Sequence, residues 1–205
     1  RLRAKGYDLA IIMPPCNTFS RAQLNKGRGP PPLRSVNHPW GFPWISGPRK
    51  LKIEAANILV RRSLAALEEA GLSDAPWLLE FPEDLGKHHG ITPASIWQLP
   101  EVRKIAENVN AKRVANHQYT LGAAYPKPTG ILATIDLDPK FGIEGWPDIS
   151  SAGRYKGPLT RIAAPPMKLG PANTAPTASY PETLARSLAK MAVDTLIRRG
   201  LHVRT

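Results

Sequence analysis

"YDLAIIMPPC" (Tyr7–Cys16) reads as a short buried strand running into an abrupt stop. Tyr7–Met13 is mostly apolar, with β-branched Ile11 and Ile12, which predicts a strand over those residues. Pro14 and Pro15 end it, because neither carries an amide hydrogen for a sheet ladder. Cys16, the only cysteine, then stands at the strand's C-terminal end, the edge at which open α/β sheets bind ligands. "PWLLEF" (Pro76–Phe81) is a second stretch of the same kind. Glu80 interrupts its apolar run and Pro82 ends it.

Between these two stretches the period changes. Ile53, Ala56, Val60, Leu64 and Leu67 recur at spacings of three and four, which predicts a helix over Lys50–Ala70 with Gly71 as its C-terminal stop. Residues 26–49 are rich in Pro, Gly and basic side chains and predict a long basic loop. Trp40, Phe42 and Trp44 lie in it, placed either to stack on bases or to staple the loop to the core. Further on, residues 87–100 are loop-like and Glu101–Asn108 fits a short helix. His117–Asp138 fits two strands around a Gly/Pro corner, and residues 139–178 are irregular. A last helix opens with a capping box from Ser179 to Glu182 and Pro181 in the first turn. Leu184, Leu188 and Met191 share its inner face, and Gly200 closes it. The order strand, helix, strand, strand pair, helix predicts an α/β sheet in a single domain spanning 1–205. Nothing before Tyr7 supplies the opening strand and glycine-rich turn of a doubly wound sheet, so the sheet is expected to be partial.

Composition narrows the partners. The 205 residues carry 28 Lys and Arg against 16 Asp and Glu, a net charge of +12. Asp8 and Glu54 are the only acids in residues 1–60. Such an excess attracts polyanions, with nucleic acid the default partner. No apolar run of about 18 residues suggests a membrane span, and the N-terminal residues do not resemble a signal peptide. A nuclear or cytoplasmic protein is expected. One cysteine excludes an internal disulfide and zinc sites built on paired cysteines.

Cys16 has three readings. A lone cysteine packs as a small hydrophobe. With a basic neighbour such as Arg21 to lower its pKa, it becomes a nucleophile. With His117 or His88 it would form a cysteine hydrolase pair.

The neighbouring letters favour the nucleophile. "PPCNTFS" (Pro14–Ser20) resembles the nucleophile motif of the DNA cytosine-5 methyltransferases, a Pro-Cys followed by Phe-Ser. "WLLEFPEDLG" is similar to that family's second motif, a strand ending in Glu-Asn-Val, with Phe81 and Pro82 in place of Asn-Val. "YTLGAAYPKPTGILATI" resembles the third, with Lys127 and Thr129 near the places of its two arginines. "TASYPETLARSLA" resembles the last. The resemblance implies a partial Rossmann-like methyltransferase sheet and S-adenosylmethionine as methyl donor. It implies Cys16 as the nucleophile on C6 of a flipped cytosine and Glu80 as the partner of N3. It also implies substrate or nucleic-acid contacts at Asn17, Ser20, Arg21, Arg28, Lys127 and Thr129, with Pro14 and Pro15 beside the cofactor. The family's Phe-x-Gly-x-Gly cofactor motif is missing, and "FGIEG" (Phe141–Gly145) is a poor match in the wrong place. The cofactor site is therefore expected largely outside this chain, truncated at its N-terminus, with residues 139–178 in place of a target-recognition region. The alternative expectation is an inactive nucleic-acid-binding remnant or a domain of a retroelement polyprotein.

Overall fold

The computed structural model describes residues 7–24, 31–160 and 180–200. The chain forms a mixed α/β structure around a five-stranded sheet of order β1-β2-β4-β3-β5. Its strands are β1 (Ala10–Ile12), β2 (Trp77–Pro82), β3 (Lys112–His117), β4 (Pro128–Ala133) and β5 (Ile143–Glu144). β1 and β2 are parallel, with Ile11 opposite Leu78. β4 runs antiparallel to both β2 and β3, with Glu80 opposite Ile131 and Val114 opposite Ile131 from the other side. β2 and β3 are thus parallel to each other across a reversed strand. A two-stranded ribbon of β6 (Asp148–Ile149) and β7 (Tyr155–Gly157) lies apart from this sheet.

Among the described residues, three α-helices cover the sheet. α1 (Gly47–Leu72) and α2 (Pro100–Asn108) lie on one face, and α3 (Glu182–Arg198) on the other. Alternation along β2 decides which side chain goes where. Trp77, Leu79 and Phe81 join Val60, Leu64 and Leu67 of α1 and Val102 and Ile105 of α2 in one core. Leu78 joins Val114, Ile131 and Ala133 and meets Leu184, Leu188 and Met191 of α3 in the other. Glu80 points to the α3 side, between Leu78 and Pro82.

The buried stripe of α1 is the one its periodicity predicts: Ile53, Ala56, Val60, Leu64 and Leu67 are all buried, with Ala70. Gly71 is not its stop. The helix runs through Gly71, where a Cβ would come within 2.8 Å of Val109 Cγ1, and ends at Leu72. This glycine is set by close packing and not by a left-handed turn. The helix also begins earlier, at Gly47 with Pro48 in the first turn, so the basic loop ends at Ser46. β1 is shorter than Tyr7–Met13, because only Ala10–Ile12 pair with β2.

The strand pair around the Gly/Pro corner starts upstream of His117. Its first member is β3, ending at His117, and the corner itself holds a 3₁₀ turn over Gln118–Leu121 closed by Gly122 at φ 93°. The last helix is capped at Pro181 without a side-chain hydrogen bond, and Ser179 lies outside the described residues. Glu182 pairs instead with Arg186, one turn on. Gly200, at φ 73°, ends the helix as expected.

The irregular segment does structural work as far as Leu159. Arg113 of β3 forms a fully buried ion pair with Glu83. Its Nη1 donates to the Gly145 carbonyl (2.6 Å), and the Tyr155 hydroxyl donates to Glu83 (2.9 Å). Trp146 lies under Arg103 and edge-on to Trp97. "FGIEG" is part of this packing: Phe141 is buried and Ile143–Glu144 pair with β3.

Candidate active site

The parallel β1–β2 pair brings Cys16 and Glu80 to the same edge of the sheet. Beyond β1, Pro14 is buried and Pro15 half-buried. The chain then turns, with the Phe19 amide donating to the Cys16 carbonyl (2.9 Å). Phe19 is buried and sits edge-on to Phe81 at 5.4 Å, while the Arg34 guanidinium covers it at 3.9 Å. Phe81 follows Glu80, so this aromatic contact ties the Cys16 turn to the strand that carries the carboxyl.

Glu80 is 4% exposed. Its Oε2 accepts a hydrogen bond from the Tyr180 hydroxyl at 2.6 Å. Its Oε1 is buried and has no partner among the described residues. Burial pushes the Glu80 carboxyl above its ordinary value, and the Tyr180 hydrogen bond and the Lys127 charge pull partly back. The Lys127 ammonium lies 4.5 Å from the centre of the Tyr180 ring, a cation–π contact. Lys127 stands between Pro126 and Pro128 at φ 32°, a conformation that costs a non-glycine residue about 1 kcal/mol or more. Strain of this kind collects at functional sites.

Cys16 is half-buried, and its thiol is pushed up, first by burial and then by the Glu80 charge, with Lys127 acting in the opposite sense. This corrects the expectation of a thiol activated by Arg21. Arg21 faces the other way, donating to His88 Nδ1 at 3.1 Å and to the carbonyls of Leu85 and Lys87 at 3.5 Å. Among the described residues, the cation that acts on Cys16 is Lys127. Neither histidine acts on the thiol: His117 Nε2 is 3.0 Å from the Thr160 carbonyl, and His88 is held by Arg21.

Thr129 is wholly buried. Its hydroxyl donates to the Lys127 carbonyl (3.1 Å) and accepts from Gln118 Nε2 (3.0 Å). It therefore fixes the backbone that presents Lys127. Asn17 is exposed and Ser20 half-buried on the Cys16 turn, and Arg28 lies outside the described residues.

The sequence reading missed the polar groups that complete this region. Tyr180 lies within the last quoted motif, but nothing in that motif points to Glu80. Asn116 shares a sheet register with Thr129 and Pro82, so it lies on the same face as Glu80. Both polar atoms of its side chain are buried without a partner among the described residues, as are Gln118 Oε1 and Thr18 Oγ1. Their sequence signal is "NHQ" (Asn116–Gln118), a polar run directly after the apolar part of a strand.

The described residues that follow β1 build no cradle for S-adenosylmethionine. β1 is followed by Pro14 and Pro15, which offer no amide hydrogen, and not by a glycine-rich turn. Comparison with known proteins adds no relative: no family model matches the chain, and neither a curated protein nor a solved structure matches it. No helix among the described residues is long and apolar enough to cross a membrane.

Proposed function

We propose that the chain is the catalytic part of a DNA cytosine-5 methyltransferase-like protein, with a partial Rossmann-like sheet, Cys16 as nucleophile and Glu80 as the acid at N3. One observation carries the reading: Cys16 and Glu80 meet at one sheet edge, with the Lys127 ammonium acting on both. A carboxyl raised by burial stays protonated nearer neutral pH and can donate to a ring nitrogen. In the step these residues perform, the Cys16 thiol first loses its proton to solvent. The sulfur then bonds to C6 of cytosine as the C5–C6 π pair shifts into the ring and N3 takes the proton of Glu80. Lys127 favours the thiolate. The buried setting requires a single-stranded or flipped-out base. S-adenosylmethionine is the methyl donor the family uses, and its site is not built by the described residues.

Cytosine-5 chemistry is tested by covalent trapping. Protein, S-adenosylmethionine and DNA containing 5-fluorocytosine are mixed, using this chain and a form extended upstream of Arg1. Fluorine at C5 blocks the final elimination, so the expected product is a protein–DNA adduct absent from Cys16→Ala. No adduct in either form would sink the reading. A second reading, a basic nucleic-acid-binding remnant, is favoured by the raised Cys16 thiol, which leaves less thiolate than an ordinary cysteine has. It predicts DNA binding that Cys16→Ala leaves intact and no adduct.

A further inference from the structure

The two oxygens of the Glu80 carboxyl are not equivalent. Oε2 accepts the Tyr180 hydroxyl, and Oε1 is buried without a partner among the described residues. A carboxylic acid carries one proton, and an oxygen already accepting a short hydrogen bond is the poorer place for it. The Tyr180 phenol is a dependable donor. Burial and the neighbouring Glu80 keep it protonated, and the Lys127 ammonium over its ring polarises it further. Among the described residues, the titratable and charged groups facing Glu80 are Cys16 after β1, Lys127 before β4 and Tyr180 ahead of α3. On this side β3 and β4 present apolar Val114 and Ile131 together with the uncharged polar Asn116 and Thr129, and α3 presents apolar Leu184 and Leu188.

We propose that Tyr180 is a positioning residue of this site: its hydroxyl occupies Glu80 Oε2 and directs the carboxyl proton to Oε1, the oxygen left for N3 of the base. This rests on the reading of Glu80 as the acid. It assigns a role to a residue 100 positions away in sequence, with Lys127 holding the phenol ring as well as acting on the thiol.

Tyr180→Phe removes one oxygen and keeps the ring under Lys127. Two readouts on the full chain separate this proposal from the methyltransferase reading. The first needs no substrate: a ¹³C NMR titration of the Glu80 carboxyl, identified by its loss in Glu80→Gln. Because the Tyr180 hydrogen bond favours the carboxylate, the Glu80 pKa is expected to rise in Tyr180→Phe. An unchanged titration overturns the proposal, whatever the chemistry of Cys16. The second is exchange of the C5 hydrogen of cytosine with deuterated solvent, using a cytosine-containing single strand and no cofactor. The sulfur adds to C6, C5 takes a deuteron, and loss of the original C5 hydrogen expels the thiolate and restores the ring. Tyr180→Phe is expected to slow exchange about tenfold or more at saturating DNA, with affinity unchanged. The pH at which exchange fails is expected to move upward with the Glu80 pKa. Exchange equal to the wild type would make Tyr180 a packing residue and overturn the proposal. No exchange even in the wild type would sink the methyltransferase reading, while the titration still decides the Tyr180–Glu80 assignment.

Discussion

At the scale of single residues, the charge on Cys16 is set by two opposed neighbours. Glu80 raises the thiol pKa and Lys127 lowers it, on top of a larger rise from burial. The sign of each effect gives a test that needs no substrate. The rate of alkylation by iodoacetamide follows the thiolate fraction. In the wild type its half-maximal pH is expected above the ordinary thiol value of 9.0. Glu80→Gln removes a negative charge and moves that midpoint down. Lys127→Met removes a positive charge and moves it up. If both substitutions shifted the midpoint the same way, the three residues would not form one electrostatic unit. Thr129 acts one step back from them, through the Lys127 carbonyl.

At the scale of elements, what burial imposes as periodicity was readable and what distant partners impose was not. The stripe of α1, the inner face of α3 and the apolar run of β2 each follow from which side chains leave water. β3 was placed too late because "KRVANH" (Lys112–His117) looks polar. Its Arg113 is buried only because Glu83, 30 residues earlier, neutralises it. Cys16 and Glu80 were legible because both sit where an apolar strand meets prolines. Tyr180 and Asn116 were not, because their meaning lies in who faces them across the sheet. The Arg113 pair also supports an element-level prediction. A Cβ on Gly130 of β4 would overlap the Arg113 guanidinium and come within 2.9 Å of the Trp97 ring. Forcing an extra methyl group into a well-packed core costs about 1–3 kcal/mol. Gly130→Ala is therefore expected to lower unfolding stability in urea by about 2 kcal/mol. Gly157→Ala, where a Cβ meets open space, should change it by less than about 0.5 kcal/mol. Similar urea midpoints for the two variants would mean that the Arg113 guanidinium yields easily and that the ion pair does not hold the sheet.

At the scale of the whole molecule, the net charge of +12 is unevenly partnered. On α3, Arg186 and Lys190 pair with Glu182 and Asp194 one turn away, and Arg198 pairs with Asp136. These surface pairs add little stability, but they neutralise that face. α1 is different. Lys50 pairs loosely with Glu54 at 3.9 Å, Arg61 lies over Trp40, and Lys52 and Arg62 are exposed. A nucleic acid held by phosphate contacts is therefore expected along the α1 side, which also carries the Trp40–Trp44 loop. Counterion release makes such binding fall with salt, with a slope of about −0.7 per phosphate neutralised on single strands. Lys52→Glu combined with Arg62→Glu should weaken single-stranded DNA binding and make the slope shallower by about 1.4, two phosphates' worth. Arg186→Glu, which removes a cation already paired on α3, should leave the slope unchanged. The reverse pattern in a fluorescence-anisotropy salt titration would move the nucleic acid to the α3 face. There it would approach Glu80 from the side that Tyr180 covers, and Tyr180 would have to leave before a base could enter.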